Sequence, residues 1–209
     1  MITIVDYGLG NLRSIQNMLS RAYVSSVISC EPEVLRKASR LILPGVGHFG
    51  YGMEKLRELR LIDVLNELVL EKKVPVLGIC LGAQLLGRHS DEGDVDGLGW
   101  IAMDTVKFDR SQLGNGDRVP HMGWTNTECI RHRLFENMSE QPPRFYYVHS
   151  FHFACDEPQS VICTATHGYS FASGVAKDNV IGVQFHPEKS HGFGRQLLKN
   201  WAAMDFPHT

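Results

Sequence analysis

The sequence predicts an α/β fold of three layers, α/β/α, with a largely parallel central sheet to which the second half of the chain adds antiparallel strands. Three observations carry this. Up to Gly87, short apolar runs alternate with stretches of helical period; after Gly87 the chain is mostly strand-like; and two of the early apolar runs end in glycine-rich turns. Apolar strands separated by amphipathic helices build a parallel sheet covered on both faces, where functional groups gather at the carboxyl ends of strands.

Residues 1–5 read as the first strand, and Leu12, Ile15, Met18 and Leu19 mark one face of the helix that follows. Residues 24–29 look extended, Pro32 can open a short helix, and residues 40–43 form a short buried strand. Leu61, Leu65, Leu68 and Val69 stripe another helix, and residues 74–79 are the next strand. Beyond Gly87, residues 91–99 read as an acidic, glycine-rich loop and residues 111–117 as a polar break. Residues 146–153, 160–166 and 171–185 look extended, with Asp178 and Asn179 as a hairpin turn, and a helix over 193–204 closes the chain. There is no repeat, low-complexity tract or linker, so residues 1–209 are expected to build one domain.

Composition narrows the function. Of 209 residues, 43% are hydrophobic and 21% charged, with a net charge of −2, so no electrostatic affinity for nucleic acid or an anionic membrane is indicated. The start, MITIVDYG, is strand-like with no basic leader, and no apolar stretch is long enough to span a bilayer; a cytoplasmic location is expected. The five cysteines (Cys30, Cys80, Cys129, Cys155, Cys163) are widely spaced and contain no CxxC pair, which signals neither a disulfide framework nor a zinc site. Ten histidines include no HExxH, and no metal or cofactor is expected.

Cys80 stands apart. Gly78-Ile79-Cys80-Leu81-Gly82 ends an apolar strand and matches a nucleophile elbow in which cysteine replaces serine. Glycines two residues before and after tolerate close backbone packing, and a helix start beneath the sulfur favours its thiolate. Attack on an acyl carbon creates a negative oxygen, for which the Leu81 N–H and the turn Leu43-Pro44-Gly45-Val46-Gly47 are candidate donors. Near the end, Gln184-Phe185-His186-Pro187-Glu188 delivers an imidazole from an apolar strand, with a carboxylate two residues on to orient it. Together these make a Cys-His-Glu arrangement spread over the chain.

These segments resemble the class I glutamine amidotransferases, and among them the glutaminase subunits of imidazole glycerol phosphate synthase. Asp6 to Leu12, the PGVG turn, the elbow, Val119 to Trp124 (VPHMGW), Val148-His149-Ser150 and Gly182 to Ser190 follow in the family's order. The resemblance implies the flavodoxin-like fold of that class, with Cys80 as nucleophile, His186 as acid and base, and Glu188 as its orienter. It implies an oxyanion hole from Val46, Gly47 and Leu81, and a site for L-glutamine at Gly45, Gln84, His149 and Ser150. It further implies a (β/α)₈-barrel cyclase as heterodimer partner, which receives ammonia for histidine biosynthesis, with Asn11, His121, Met122, Trp124 and Lys189 at the interface.

Two departures fall near that surface: His48 precedes Phe49 where the family more often has a small residue, and Thr125 follows Trp124 in place of Asn. Arg88-His89-Ser90 and the acidic loop resemble a paralogous group that feeds ammonia to bacterial surface-sugar amidotransferases. A γ-glutamyl hydrolase or peptidase, and a regulatory subunit that has lost catalysis, remain alternatives on the same scaffold.

Overall fold

The computed structural model describes residues 1–130 and 132–206. The parallel half comprises β1 (Ile2–Val5), α1 (Leu12–Arg21), β2 (Ser26–Ser29), α2 (Pro32–Leu35), β3 (Arg40–Leu43), α3 (Phe49–Glu58), α4 (Leu61–Asn66), β4 (Val76–Ile79) and α5 (Leu81–Gln84). There follow β5 (His89–Ser90), β6 (Val95–Asp96), β7 (Met103–Lys107), β8 (His121–Asn126), β9 (Glu128–Cys129), β10 (Arg144–His149), β11 (Phe151–Cys155), β12 (Val161–His167), β13 (Tyr169–Lys177), β14 (Val180–Val183) and α6 (His191–Ala203).

The main sheet runs β2-β1-β3-β4-β14-β13-β11-β7-β5-β6, and its first five strands are parallel. The chain's last strand, β14, inserts beside β4, then pairs antiparallel with β13. That crossover sets the ends of β4 and β14, and hence Cys80 and His186, side by side. Two buried clusters cover the sheet: Ile15, Leu19, Leu197 and Trp201 of α1 and α6 on one face, Phe49, Leu56, Leu65 and Leu81 on the other. Three layers result, as the alternating pattern predicts.

Several boundaries differ for identifiable reasons. Residues 146–153 are not one strand: β10 pairs with β8 in a separate two-stranded sheet, whereas β11 joins the main sheet, and the switch occurs at Ser150. A continuous strand-like run carries no mark of a change of sheet. The Leu61 stripe leaves α-helical geometry at Asn66 for a π-turn, Glu67–Glu71, closed by Lys72 N–H to Glu67 O at 3.0 Å; the wider turn keeps both Leu68 and Val69 buried. Helix α3 was hidden by Gly50 and Gly52, poor helix formers; its first amides are capped by His48 Nδ1 at 3.1 Å and Glu92 Oε2 at 2.8 Å. The acidic loop holds the β5–β6 hairpin, and the Asp178-Asn179 turn lies where expected between β13 and β14.

Candidate active site

At the end of β4 the backbone of Cys80 turns sharply, with φ 54° and ψ −113°, a conformation that costs a non-glycine residue energy and recurs at functional sites. The neighbouring glycines explain how the turn is accommodated. A Cβ on Gly82 would overlap the Leu43 carbonyl, and one on Gly78 would lie 2.6 Å from Ala83 Cα. Gly45 is part of the same joint, because a Cβ there would come within 2.9 Å of Gly82 N. These contacts bring the β3 turn against the elbow, leaving Val46 and Gly47 at the surface beside the sulfur. Gly47 has φ 108° and open space around it. Tyr7, fully buried at the end of β1, donates its hydroxyl to the Pro44 carbonyl at 2.6 Å and braces that turn; burial, then the charge of Cys80, push its phenol far up, so it stays a neutral donor.

His186 follows β14. Its Nδ1 lies 2.8 Å from Glu188 Oε1, and both side chains are 1% exposed. A carboxylate only accepts, so Nδ1 carries the hydrogen and Nε2 is left for the cavity it shares with Cys80. Burial pushes the imidazole's pKa down, but the charge of Cys80, followed by the Glu188 carboxylate, outweighs burial and raises it to about 10. Ser190 fixes the His186 turn: its hydroxyl donates to His186 O at 2.6 Å and accepts from Tyr146 N–H at 3.0 Å.

Cys80 and His186 open on one cavity of about 240 Å³. Val46, Gly47, Leu81, Gln84, His149 and Ser150 line it, so the predicted nucleophile, base, oxyanion donors and most of the binding residues converge. Gly45 departs from expectation: it is buried beneath the lining and serves the close joint rather than the cavity. Sequence reasoning missed Glu92, which joins this wall from the supposed acidic loop. It also passed over Gln184, which is fully buried and donates Nε2–H to Cys80 Sγ at 3.8 Å. Both depend on folding distant segments together; only the adjacency of Gln184 to the His186 motif was visible.

The His149 side chain turns away from the cavity into an aromatic cluster with Phe108, His121, His152, His167 and Phe171. His149 Nδ1 donates to Phe151 O at 2.7 Å. Burial, despite that bond and with His121 adding to it, holds the His149 pKa well below its ordinary value, so Nε2 accepts from His121 Nδ1 at 3.0 Å. Burial, then the His167 charge, lower His121 to about 4; its Nε2 therefore accepts from the Thr125 hydroxyl at 2.9 Å. His121 is thus a buried ring, 5% exposed, and the expectation that it lies on a docking surface is corrected: alternation along β8 turns it inward while Met122 and Trp124 face out.

Met122 is 61% exposed and Trp124 39%. Trp124 stacks on His191 with ring centroids 5.3 Å apart, and Lys189 Nζ sits 5.6 Å from the Tyr146 ring on the neighbouring strand. Asn11 and Lys189 are exposed as well, and α1 packs against the Pro187–Lys189 turn, so Asn11 borders the same side of the molecule. Among the described residues no helix is long and apolar enough to cross a membrane, and no three His, Cys, Asp or Glu residues are arranged to hold a metal ion.

Comparison with known proteins shows the family. The family model for glutamine amidotransferase class-I matches residues 3–204. Imidazole glycerol phosphate synthase subunit HisH 2 of Methanococcus maripaludis is 48% identical over 202 residues, spanning 96% of this chain and 98% of that protein. The subunit of the same name from Pseudomonas aeruginosa is 46% identical over 205 residues, spanning 98% and 100%. Among solved structures, PurLQS from Thermotoga maritima shares the fold, with a TM-score of 0.69 at 19% identity over 96% of each chain.

Proposed function

Because the chain belongs to the class I glutamine amidotransferases, we propose that it is a glutaminase subunit: it hydrolyses L-glutamine to glutamate and ammonia for an imidazole glycerol phosphate synthase. The observation that supports it most directly is the strained Cys80 elbow opening on one cavity with a His186 whose other nitrogen is tied to Glu188 at 2.8 Å. In this reading Cys80 Sγ attacks the side-chain amide carbon of glutamine, forming the C–S bond and placing negative charge on the amide oxygen. The Leu81 N–H and the Val46-Gly47 backbone face that oxygen. His186 transfers its proton from Nε2 to the amide nitrogen, the C–N bond breaks, and ammonia leaves a thioester. The neutral imidazole then takes a proton from water, which attacks the thioester and releases glutamate. Gln84 and the backbone of His149 and Ser150 bound the substrate, and the Glu92 carboxylate suits its α-ammonium.

Ammonia released into water near neutral pH becomes ammonium and loses its nucleophilicity, so a closed passage to an acceptor subunit is required. We assign that role to a (β/α)₈-barrel cyclase docking on Asn11, Met122, Trp124 and Lys189, with residues 1–209 acting as one glutaminase domain. Gly47 gives the oxyanion turn freedom to reorient when the partner binds. The test is release of glutamate and ammonia with and without a cyclase barrel and its ligand. Strong stimulation by the barrel is expected, and Cys80→Ala should abolish turnover while circular dichroism stays unchanged. Undiminished hydrolysis in Cys80→Ala would overturn the nucleophile assignment; equal rates with and without the barrel would overturn the gating.

A further inference from the structure

Gln184 is fully buried, lies immediately after β14, and contacts the nucleophile. An amide beside a sulfur can present its N–H₂ or its oxygen, and only the first favours a sulfur anion. Here the surroundings decide. The Phe151 carbonyl can only accept, so Gln84 presents Nε2 to it, at 3.4 Å. The same Nε2 donates its second hydrogen to Gln184 Oε1 at 3.1 Å. With its oxygen thus occupied, Gln184 has only its N–H₂ to aim at Cys80 Sγ, 3.8 Å away. Polarity is therefore passed from one backbone carbonyl through two amides to the sulfur.

The anchor of this chain is itself held. Phe151 O also accepts from His149 Nδ1, and the other nitrogen of that ring accepts from His121 on β8. Both hydrogen bonds converge on the carbonyl just past Ser150, where the chain passes from β10 to β11. The nucleophile's donor is in this way referenced to the stretch of backbone that lines the cavity.

We propose that Gln184 is a positioning residue for the glutaminase reaction: its amide, locked in one orientation by Gln84, holds the Cys80 sulfur and stabilises its anionic form. The inference rests on the glutaminase reading only in taking Cys80 as the nucleophile. A residue with a merely structural role would leave the sulfur's reactivity unchanged in a folded variant, which separates the two roles. The experiment compares the rate at which iodoacetamide alkylates Cys80, followed by peptide mass mapping, in the native chain, Gln184→Glu and Gln184→Met, together with kcat and KM for glutamine in the partner complex. Gln184→Glu keeps the shape but turns an acceptor toward the sulfur; alkylation and kcat should fall on the order of a hundredfold. Gln184→Met keeps length and neutrality without a donor, and serves if the carboxylate prevents folding; alkylation and kcat should fall about tenfold with KM nearly unchanged. Alkylation in folded Gln184→Met at the native rate would overturn the proposal, as would a loss confined to KM. If the native complex releases no glutamate, the glutaminase reading fails, and the alkylation rates still decide the role of Gln184.

Discussion

Two buried surroundings on either side of β10 push their histidines in opposite directions. His186 is pushed up to about 10, whereas His121, on the far side of β10, is pulled down to about 4. Both are buried, and burial lowers both. The difference is what stands beside each ring: His186 has the Glu188 carboxylate at 2.8 Å and shares its cavity with the Cys80 sulfur, while His121 has another neutral imidazole and a hydroxyl. A buried imidazole thus becomes a stored proton or a fixed donor and acceptor according to the charge of its neighbours, not the depth of its burial. The first arrangement suits a group that must hand over a proton, the second one that must keep a tautomer.

Breaking the charged side should have the largest effect. Glu188→Gln keeps the shape but lets the amide present either end to Nδ1, so the tautomer that leaves Nε2 free is no longer enforced. kcat for glutamine should fall on the order of 10³- to 10⁴-fold with a small change in KM. A loss below about tenfold would mean that Cys80 alone sets the His186 proton.

Next is the pH dependence of stability, read from chemical denaturation midpoints between pH 4 and pH 10.5. A folded pKa raised above the unfolded value gives stability that is full below pH 6.5 and lost as pH rises through about 10, so His186 should produce an alkaline decline. The lowered pKa of His121 acts the other way: the unfolded chain takes up the proton first, and stability falls as pH drops from 6.5 toward about 4. Because Cys80 and Glu188 both raise the His186 pKa, Cys80→Ala and Glu188→Gln should each flatten the alkaline limb. An alkaline limb unchanged in either variant would contradict the assignment of causes.

The same contrast explains what could be read from the sequence. The charged side is written locally: glycines two residues from Cys80 and a carboxylate two residues from His186 are motif-scale signals, and the alternation of strands and helices places both at strand ends. The neutral side is built by register. His121 faces His149 because β8 and β10 pair antiparallel with these residues opposite each other, and no spacing in the chain announces that pairing. Ser150 hides the passage between two sheets, Glu92 reaches the cavity from a hairpin read as loop, and Gln184 meets Gln84 across 100 positions. Tyr7 and Ser190 lay inside quoted motifs, yet their bracing of the two turns beside the cavity follows from contacts with Pro44 and Tyr146 that only the folded chain creates.

The smallest expected effect belongs to the neutral side. His121→Phe fills similar space between Tyr147 and His167 but leaves His149 Nε2 without a donor and the Thr125 hydroxyl without its acceptor. Stability at pH 7 should drop by about 1–3 kcal/mol, the cost of unsatisfied buried polar groups. The difference between native and variant stability should then shrink as pH falls from 6.5 toward about 4, because the variant no longer carries the ring whose protonation folding opposes there. Activity should change only a few-fold, since Phe151 O keeps its bonds to His149 and Gln84 and the orientation of Gln184 is preserved. A native-minus-variant difference that stays flat with pH would show that His121 is not held neutral by its surroundings, and the contrast between the two histidine groups would reduce to Glu188 and Cys80 alone.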